Sequence, residues 1–521
     1  MRIVKILLVI LTITSVKSSF SQQLDRLVYF SDLSFGSVYE EMVFAQIEKN
    51  QDVDLKDLFL AIDVASESEA GRYKAKLGAI INQFEQEKIA DKKEKKKVRI
   101  IYEGAHASLM TLYEEDALFP DLFRNGEFNC VTGTIVYSIL FSDFDIPYSI
   151  QKGMNHVNLV VYPGSHTILV ESTDAEKGVN ALGISEKETY VDNLSRGKLI
   201  PQDKAVEGNI SEIFMQYAFK ESQIDEYELA SRQYSNRGIF QFRELQYNKA
   251  FMDFEKAFYL KPCIELANML LQSGWMVLHM SQYHTISDVE LLIKMSRYRE
   301  FGITDEDILS EFVRITEKVF KERHDLKNYE KGFNLLSKNL ESKELIREIS
   351  LVYYGVIIED LLNDAKLNAT LEYLDNLYEL DPENKQIQIL IKDILISLFN
   401  SDLISPLEQK ESLDYYRDKF PLVYEMPVMK LVDLGILLTT SEYWFSQKNP
   451  TKGSQSLAQF EMQIQFTKDV SLLSREISSA YQTAAFYYYN HGNIRKTREY
   501  LDRGIKVLPN SHSLRNMRNS I

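Results

Sequence analysis

Through residues 33–48 and 54–65, apolar side chains recur at mixed three- and four-residue intervals, and Tyr73, Leu77, Ile80, Ile81 and Phe84 extend the pattern. That is the period of helices burying one face, and residues 102–118 continue it as far as Phe119-Pro120. The basic run at residues 92–97 interrupts the pattern and reads as a solvated helix end or loop. Residues 125–129 form a polar turn, and residues 130–141 then place Ile135, Ile139 and Leu140 at helical spacing. Asn129 or a close neighbour is therefore expected to cap a helix that carries Cys130 in its first turn. After Asp145-Ile146-Pro147 the chain reads as strands over 148–151 and 157–162, a turn at Pro163-Gly164-Ser165, and a return strand over 167–170. Gly178, Gly183 and Gly197 among many charges mark loops over 175–225, with 211–220 as a helix leading out.

From about Asp225 the pattern becomes one of repeated helical hairpins. Tyr234, Gly238, Tyr247, Ala250, Phe254, Ala257 and Pro262 resemble the tetratricopeptide repeat framework, in which small residues let the two helices of a hairpin touch and a proline ends the second. Tyr354, Leu374, Leu377 and Pro382 repeat it, as do Tyr481, Ala485, Tyr488, Gly492 and Pro509. Between them, residues 264–280, 289–298, 308–320 and 429–445 read as further amphipathic helices. Such hairpins cannot bury their apolar faces alone, so they are expected to stack into a superhelix whose concave groove holds a protein or peptide ligand. Most of the chain's 30 Tyr and 28 Phe are expected to fill the hairpin interfaces, and a few to line the groove.

The start of the chain changes the compartment. Arg2 and Lys5 precede an apolar run over residues 6–13, and Ser19-Phe20-Ser21 supplies small residues for a peptidase, so residues 1–21 read as a signal peptide and the protein as exported, periplasmic or secreted. No later stretch reaches the roughly 18 apolar residues of a membrane span. Sixty basic against 76 acidic residues give a formal net charge of −16, which argues against non-specific nucleic-acid binding. An exported chain stapled by disulfides would hold several pairs, whereas this one has Cys130 and Cys263 alone. Assigned to different domains, they are expected to be unpaired, Cys263 as a small packed residue at a repeat boundary and Cys130 for chemistry.

At a helix start, free backbone N–H groups and the positive end of the helix dipole favour a thiolate and could hold an oxyanion. His156 opens the hairpin's first arm, and an even loop between the arms places Glu171 on its side, an odd one Ser172 or Asp174; Glu171 is preferred, with Asp174 in reserve. Gly133 within the helix suggests close approach by another backbone. A metal site from Cys130, His156, His166 and Glu171 lacks any short ligand spacing, and no cofactor is expected.

Cys130 at a helix start, Ile146-Pro147 at the helix-to-strand switch, the run from His156 to Gly164 and Val170-Glu171-Ser172-Thr173 resemble the core of transglutaminase-like domains. The resemblance covers about residues 60–200 and implies a papain-like triad, with Cys130 as nucleophile, His156 as base and Glu171 as orienter. Phe128 stands where that family usually has Gly, Asn158 where a Trp often follows the His, and Glu171 where Asp is usual.

The expected fold is an α+β transglutaminase-like domain, with a helical N-terminal part and a nucleophile helix packed on a small antiparallel sheet, followed by an all-α solenoid. The expected limits are 22–205 for the first domain, 206–224 for a linker and 225–521 for the solenoid. The functional expectation is an exported thiol protein acting on amide or peptide bonds of a protein substrate, with a repeat superhelix for protein binding. The alternative is a non-catalytic interaction scaffold of the same architecture.

Overall fold

The computed structural model describes residues 27–153, 156–163, 167–174, 178–181, 223–399, 405–466 and 471–521, with Leu24 and scattered positions between 185 and 214. The expected leader, most of the linker at 206–224 and His166 lie outside them. Among the described residues no helix is long and apolar enough to cross a membrane. The chain forms two compact units, Met1–Glu311 and Phe312–Ile521. The division thus falls well beyond Asp225, where the sequence pattern changes, because the first hairpins share an interior with the α/β part.

In the first unit, four helices lead to the site: α1 (Val38–Glu48), α2 (Leu55–Leu60), α3 (Glu67–Gln86) and α4 (Glu94–Leu109). Ser37, Asp54 and Ser66 cap the first three, each side chain accepting a first-turn backbone N–H. The helix expected over 102–118 stops at Leu109. Beyond it Leu112–Tyr113 (β1) pairs in parallel with Glu127–Phe128 (β2), across the short helix α5 (Asp121–Arg124). Gly126 makes this possible: its φ of +79° suits glycine, and its carbonyl accepts the N–H groups of Thr111 and Leu112.

Helix α6 (Cys130–Asp143) is buried continuously from Val131 to Phe141, so it is a central helix wrapped on all sides. It packs on a five-stranded antiparallel sheet of order β6-β5-β4-β3-β7, built from β3 (Tyr148–Lys152), β4 (Val157–Val161), β5 (Ile168–Val170), β6 (Val179–Ala181) and the edge strand β7 (Gln223–Ile224). Directly after β7, Asp225 caps α7 (Glu226–Arg243), which pairs with α8 (Tyr247–Leu260). Gly238 allows this pairing, since a Cβ there would lie 2.6 Å from the Phe254 ring. The unit continues through α9 (Ile264–Met280) and α10 (Ile286–Met295), and the division falls within α11 (Asp305–Ile315).

The α7–α8 hairpin is held to the α/β part by enclosed polar contacts. Glu40 of α1 is 1% exposed and accepts hydrogen bonds from the Tyr234 hydroxyl and the Lys256 ammonium, each at 2.9 Å. Arg237 bonds Asp253 through two contacts of 2.6 Å and the Ile62 carbonyl at 2.7 Å. Gln233 accepts the Phe119 N–H at 3.0 Å.

The second unit consists of a π-helical turn at Thr316–Lys321 and helices α12 (Leu326–Asn339), α13 (Lys343–Asn363), α14 (Leu367–Leu380), α15 (Lys385–Phe399), α16 (Pro406–Lys419), α17 (Pro421–Tyr424), α18 (Pro427–Ser446), α19 (Pro450–Gln463), α20 (Ser474–Asn490), α21 (Ile494–Val507) and α22 (His512–Ser520). Its helices pair as antiparallel hairpins, and small residues again sit at the crossings: a Cβ on Gly453 would meet Phe445 at 2.7 Å, and one on Gly504 would meet Tyr481 at 2.8 Å. Pro262, Pro382 and Pro509 follow the ends of α8, α14 and α21, as expected of hairpin-ending prolines.

Lys256→Ala leaves Glu40 buried without its cation, and the first unit should lose about 3 kcal/mol of stability. Urea unfolding read from Trp275 fluorescence in a Trp444→Phe background measures this; an unmoved midpoint would show that the contact contributes nothing.

Candidate active site

Asn129 fixes the start of α6. Its Oδ1 accepts the N–H groups of Val131 and Thr132, each at 3.0 Å, while the Thr132 hydroxyl accepts the Asn129 N–H at 2.8 Å. The same amide donates to the Glu115 and Ala117 carbonyls at 3.0 and 2.9 Å, so residues leaving β1 are tied to the helix start. Cys130 follows as the first helical residue, half-buried just ahead of the buried run from Val131 to Phe141.

The expected thiolate is not what this geometry favours. Burial pushes the Cys130 thiol above its ordinary value and the Glu171 carboxylate adds to the rise, outweighing the backbone N–H groups of Val157 and Val131 that pull it down. Of the N–H groups at the helix start, those of Val131 and Thr132 also bind the Asn129 side chain, while the Cys130 N–H acts on the thiol.

The strands bring the imidazole and carboxylate together. In the β4–β5 register Leu159 faces Val170, and residues 162–167 join the arms, an even loop that puts His156 and Glu171 on one side. His156 Nε2 lies 2.5 Å from Glu171 Oε2. With Nε2–H donating to the carboxylate, Nδ1 is the basic nitrogen. Glu171 is itself held: its other oxygen accepts the Thr173 N–H at 3.2 Å and hydroxyl at 2.8 Å, and its own N–H donates to the Gly178 carbonyl at 2.7 Å. The Tyr102 hydroxyl lies 2.6 Å from the carbonyl oxygens of both Glu171 and Asp174. Asp174 thus takes part through its backbone, and Glu171 is the partner of His156.

Ser172 links this turn to helix α6, donating to the Cys130 carbonyl at 3.3 Å. Its approach explains Gly133, where a Cβ would lie 2.7 Å from the Ser172 Cβ; the close neighbours are the side chains of Ser172 and Met110 rather than the backbone expected. Phe128, at the position where the resemblance expects glycine, is buried with its ring edge-on to His106 and Tyr113.

Cys130 and His156 line one cavity of about 860 Å³. Its other walls come from Lys152 on β3, from Glu228, Arg232 and Asn236 on α7, and from Cys263 and Glu265 at the start of α9. The thiols assigned to separate domains therefore face the same space. Cys263 is half-buried, and burial raises its thiol as well. Sequence reading missed these walls because they lie far along the chain from Cys130. A signal was present in α7, where Glu228, Arg232 and Asn236 recur every fourth residue as a polar stripe along one face of the helix.

Alkylation of Cys130 by iodoacetamide in a Cys263→Ser background should therefore have its midpoint above the ordinary thiol value of about 8.5; a midpoint below it would show that burial is offset. Gly133→Ala should destabilise the first unit by about 1–3 kcal/mol through overlap with Ser172, measured as a lower denaturation midpoint.

No family model and no curated protein matches the chain. Among solved structures it is similar to Naa15/Naa10 bound to HypK-THB, at 13% identity over 64% of this chain and 66% of that one, with a TM-score of 0.16; it thus spans just under two thirds of that chain. It is also similar to a monomeric mutant of IFIT1 with m7Gppp-AAAA, at 8% identity over 83% of this chain and 86% of that one and a TM-score of 0.17. A human IFIT1 dimer with m7Gppp-AAAA gives 11% identity over 94% and 99% and a TM-score of 0.14.

Proposed function

We propose that the protein is a protein-interaction scaffold in which paired helices hold a protein or peptide ligand. The observation that carries this reading is the division of α20 into two faces. Tyr481, Ala484, Ala485 and Tyr488 are buried in the hairpin stack, while Phe486 is 56% and Tyr489 48% exposed on the other side. Exposed aromatics one helical turn apart are efficient anchors for a partner, because each removes a large rigid surface from water. The net charge of −16 favours a protein over a nucleic acid as that partner. Placed at Phe486 or Tyr489 in the producing cells, a photo-crosslinking residue should give a discrete protein adduct that is absent from the exposed control position Glu359. Equal adducts at all of these positions, or none at any, would overturn this use of the face.

A second reading, thiol chemistry of the transglutaminase-like kind, is supported by the His156–Glu171 contact beside a cavity that also holds Cys130. In it, Nδ1 of His156 takes the thiol proton as the sulfur attacks a carbonyl carbon, and Glu171 stabilises the imidazolium. Histidine then returns the proton to the leaving amine, and the thioester passes to water or another amine. Because burial keeps the thiol protonated, proton transfer accompanies attack. His156→Ala decides between the readings: the thiol reading expects Cys130 alkylation near neutral pH to slow about tenfold, whereas a non-catalytic scaffold expects no change.

A further inference from the structure

The cavity wall formed by α7 contains an unmet donor. Lys152 donates to Glu228 Oε1 at 2.8 Å, and the Arg232 guanidinium lies 3.6 Å from the same oxygen, so one carboxylate serves two cations. The Arg232 side chain is 30% exposed, but its Nε is enclosed and has no hydrogen-bond partner among the described residues. An enclosed guanidinium N–H without an acceptor is costly, and that cost is relieved when a bound molecule supplies an oxygen.

Other ionic groups of the wall do not meet this need. Lys261 is turned to Asp225 at 2.6 Å. Glu265 already has donors: its own backbone N–H and the Cys263 thiol hold its carboxyl below the ordinary range, with Lys152 and Arg232 contributing less. Arg232 lines the same cavity as the thiol and imidazole, and the partner its Nε–H lacks is an acceptor oxygen.

We propose that Arg232 is a specificity-determining residue of the Cys130 cavity, whose Nε–H and adjacent guanidinium edge bind a planar carbonyl oxygen of the ligand, from a peptide amide or a carboxylate. The inference needs the thiol only as a reporter within reach of the same ligand, and it stands whether or not Cys130 turns substrate over. A guanidinium is suited to this role, since its planar N–H groups match the in-plane lone pairs of such an oxygen.

The test uses maleimides as tethered probes on the full chain carrying Cys263→Ser. One series ends in a carboxylate and a matched series in a primary amide, on tethers of increasing length; N-ethylmaleimide is the tail-less reference, and intact mass reports labelling of Cys130. At one tether length the tailed reagent should label about tenfold faster than N-ethylmaleimide. Arg232→Gln should abolish that advantage without changing the N-ethylmaleimide rate. An advantage confined to the carboxylate series assigns an anionic ligand, and one shared with the amide series a peptide carbonyl. The proposal is overturned if no tether length is favoured, if Arg232→Gln keeps the advantage, if it slows every reagent alike, or if no maleimide reaches Cys130. Failure of the thiol reading looks different: His156→Ala then leaves labelling rates unaltered while the tail preference persists.

Discussion

Glu40 is the contact on which the first unit depends. It lies on α1, almost wholly removed from water, and is met there by the Lys256 ammonium and the Tyr234 hydroxyl from the two helices of one hairpin. An ion pair at that depth contributes little net stability, since removing both charges from water offsets most of their attraction. Its effect is on placement, because a hairpin docked in another register would leave a bare charge in the interior. Phe44 set edge-on to Tyr234 and the paired contacts of Arg237 with Asp253 narrow the choice further.

Placement of that hairpin decides what surrounds the thiol. With α7 held against the α/β part and β7 running directly into it, the polar stripe of α7 forms a wall of the Cys130 cavity, and the start of α9 brings Cys263 and Glu265 to the same space. The helices that read as the beginning of a separate repeat array are thus part of the compartment where any chemistry or binding at Cys130 would occur. A hairpin used this way does two jobs: Gly238 lets its two helices pack together, and its polar face lines the cavity.

Around the thiol, two physical effects oppose each other. A helix start favours a negative sulfur, but enclosure favours a neutral one, and the N–H groups of Val157, Val131 and Cys130 offset that enclosure only in part. The His156–Glu171 pair is firmly built, with donors to both carboxylate oxygens. An imidazole and a protonated thiol that line one cavity suit a proton transfer that waits for a ligand, and they are equally compatible with a binding cavity whose thiol stays at rest.

Local features were legible because they follow from local causes. Asn129 as cap, Cys130 at the helix start, the β4–β5 hairpin, the close approach at Gly133 and the prolines ending hairpins are each set by a few neighbouring residues and by the periods of helix and strand. Where the reading failed, distant segments intervened. Residues 110–118 continue a helical pattern but leave the helix because Gly126 offers them a strand partner, and the thiol is raised because β4 and α7 close around it. The sequence by itself determined which residues could serve as nucleophile, base and acid, and where helices pair. Only the tertiary structure decided how deeply the thiol is buried, which groups wall its cavity and where one compact unit gives way to the next. Burial, electrostatics and packing depend on what lies alongside in space, and spacing along the chain does not record it.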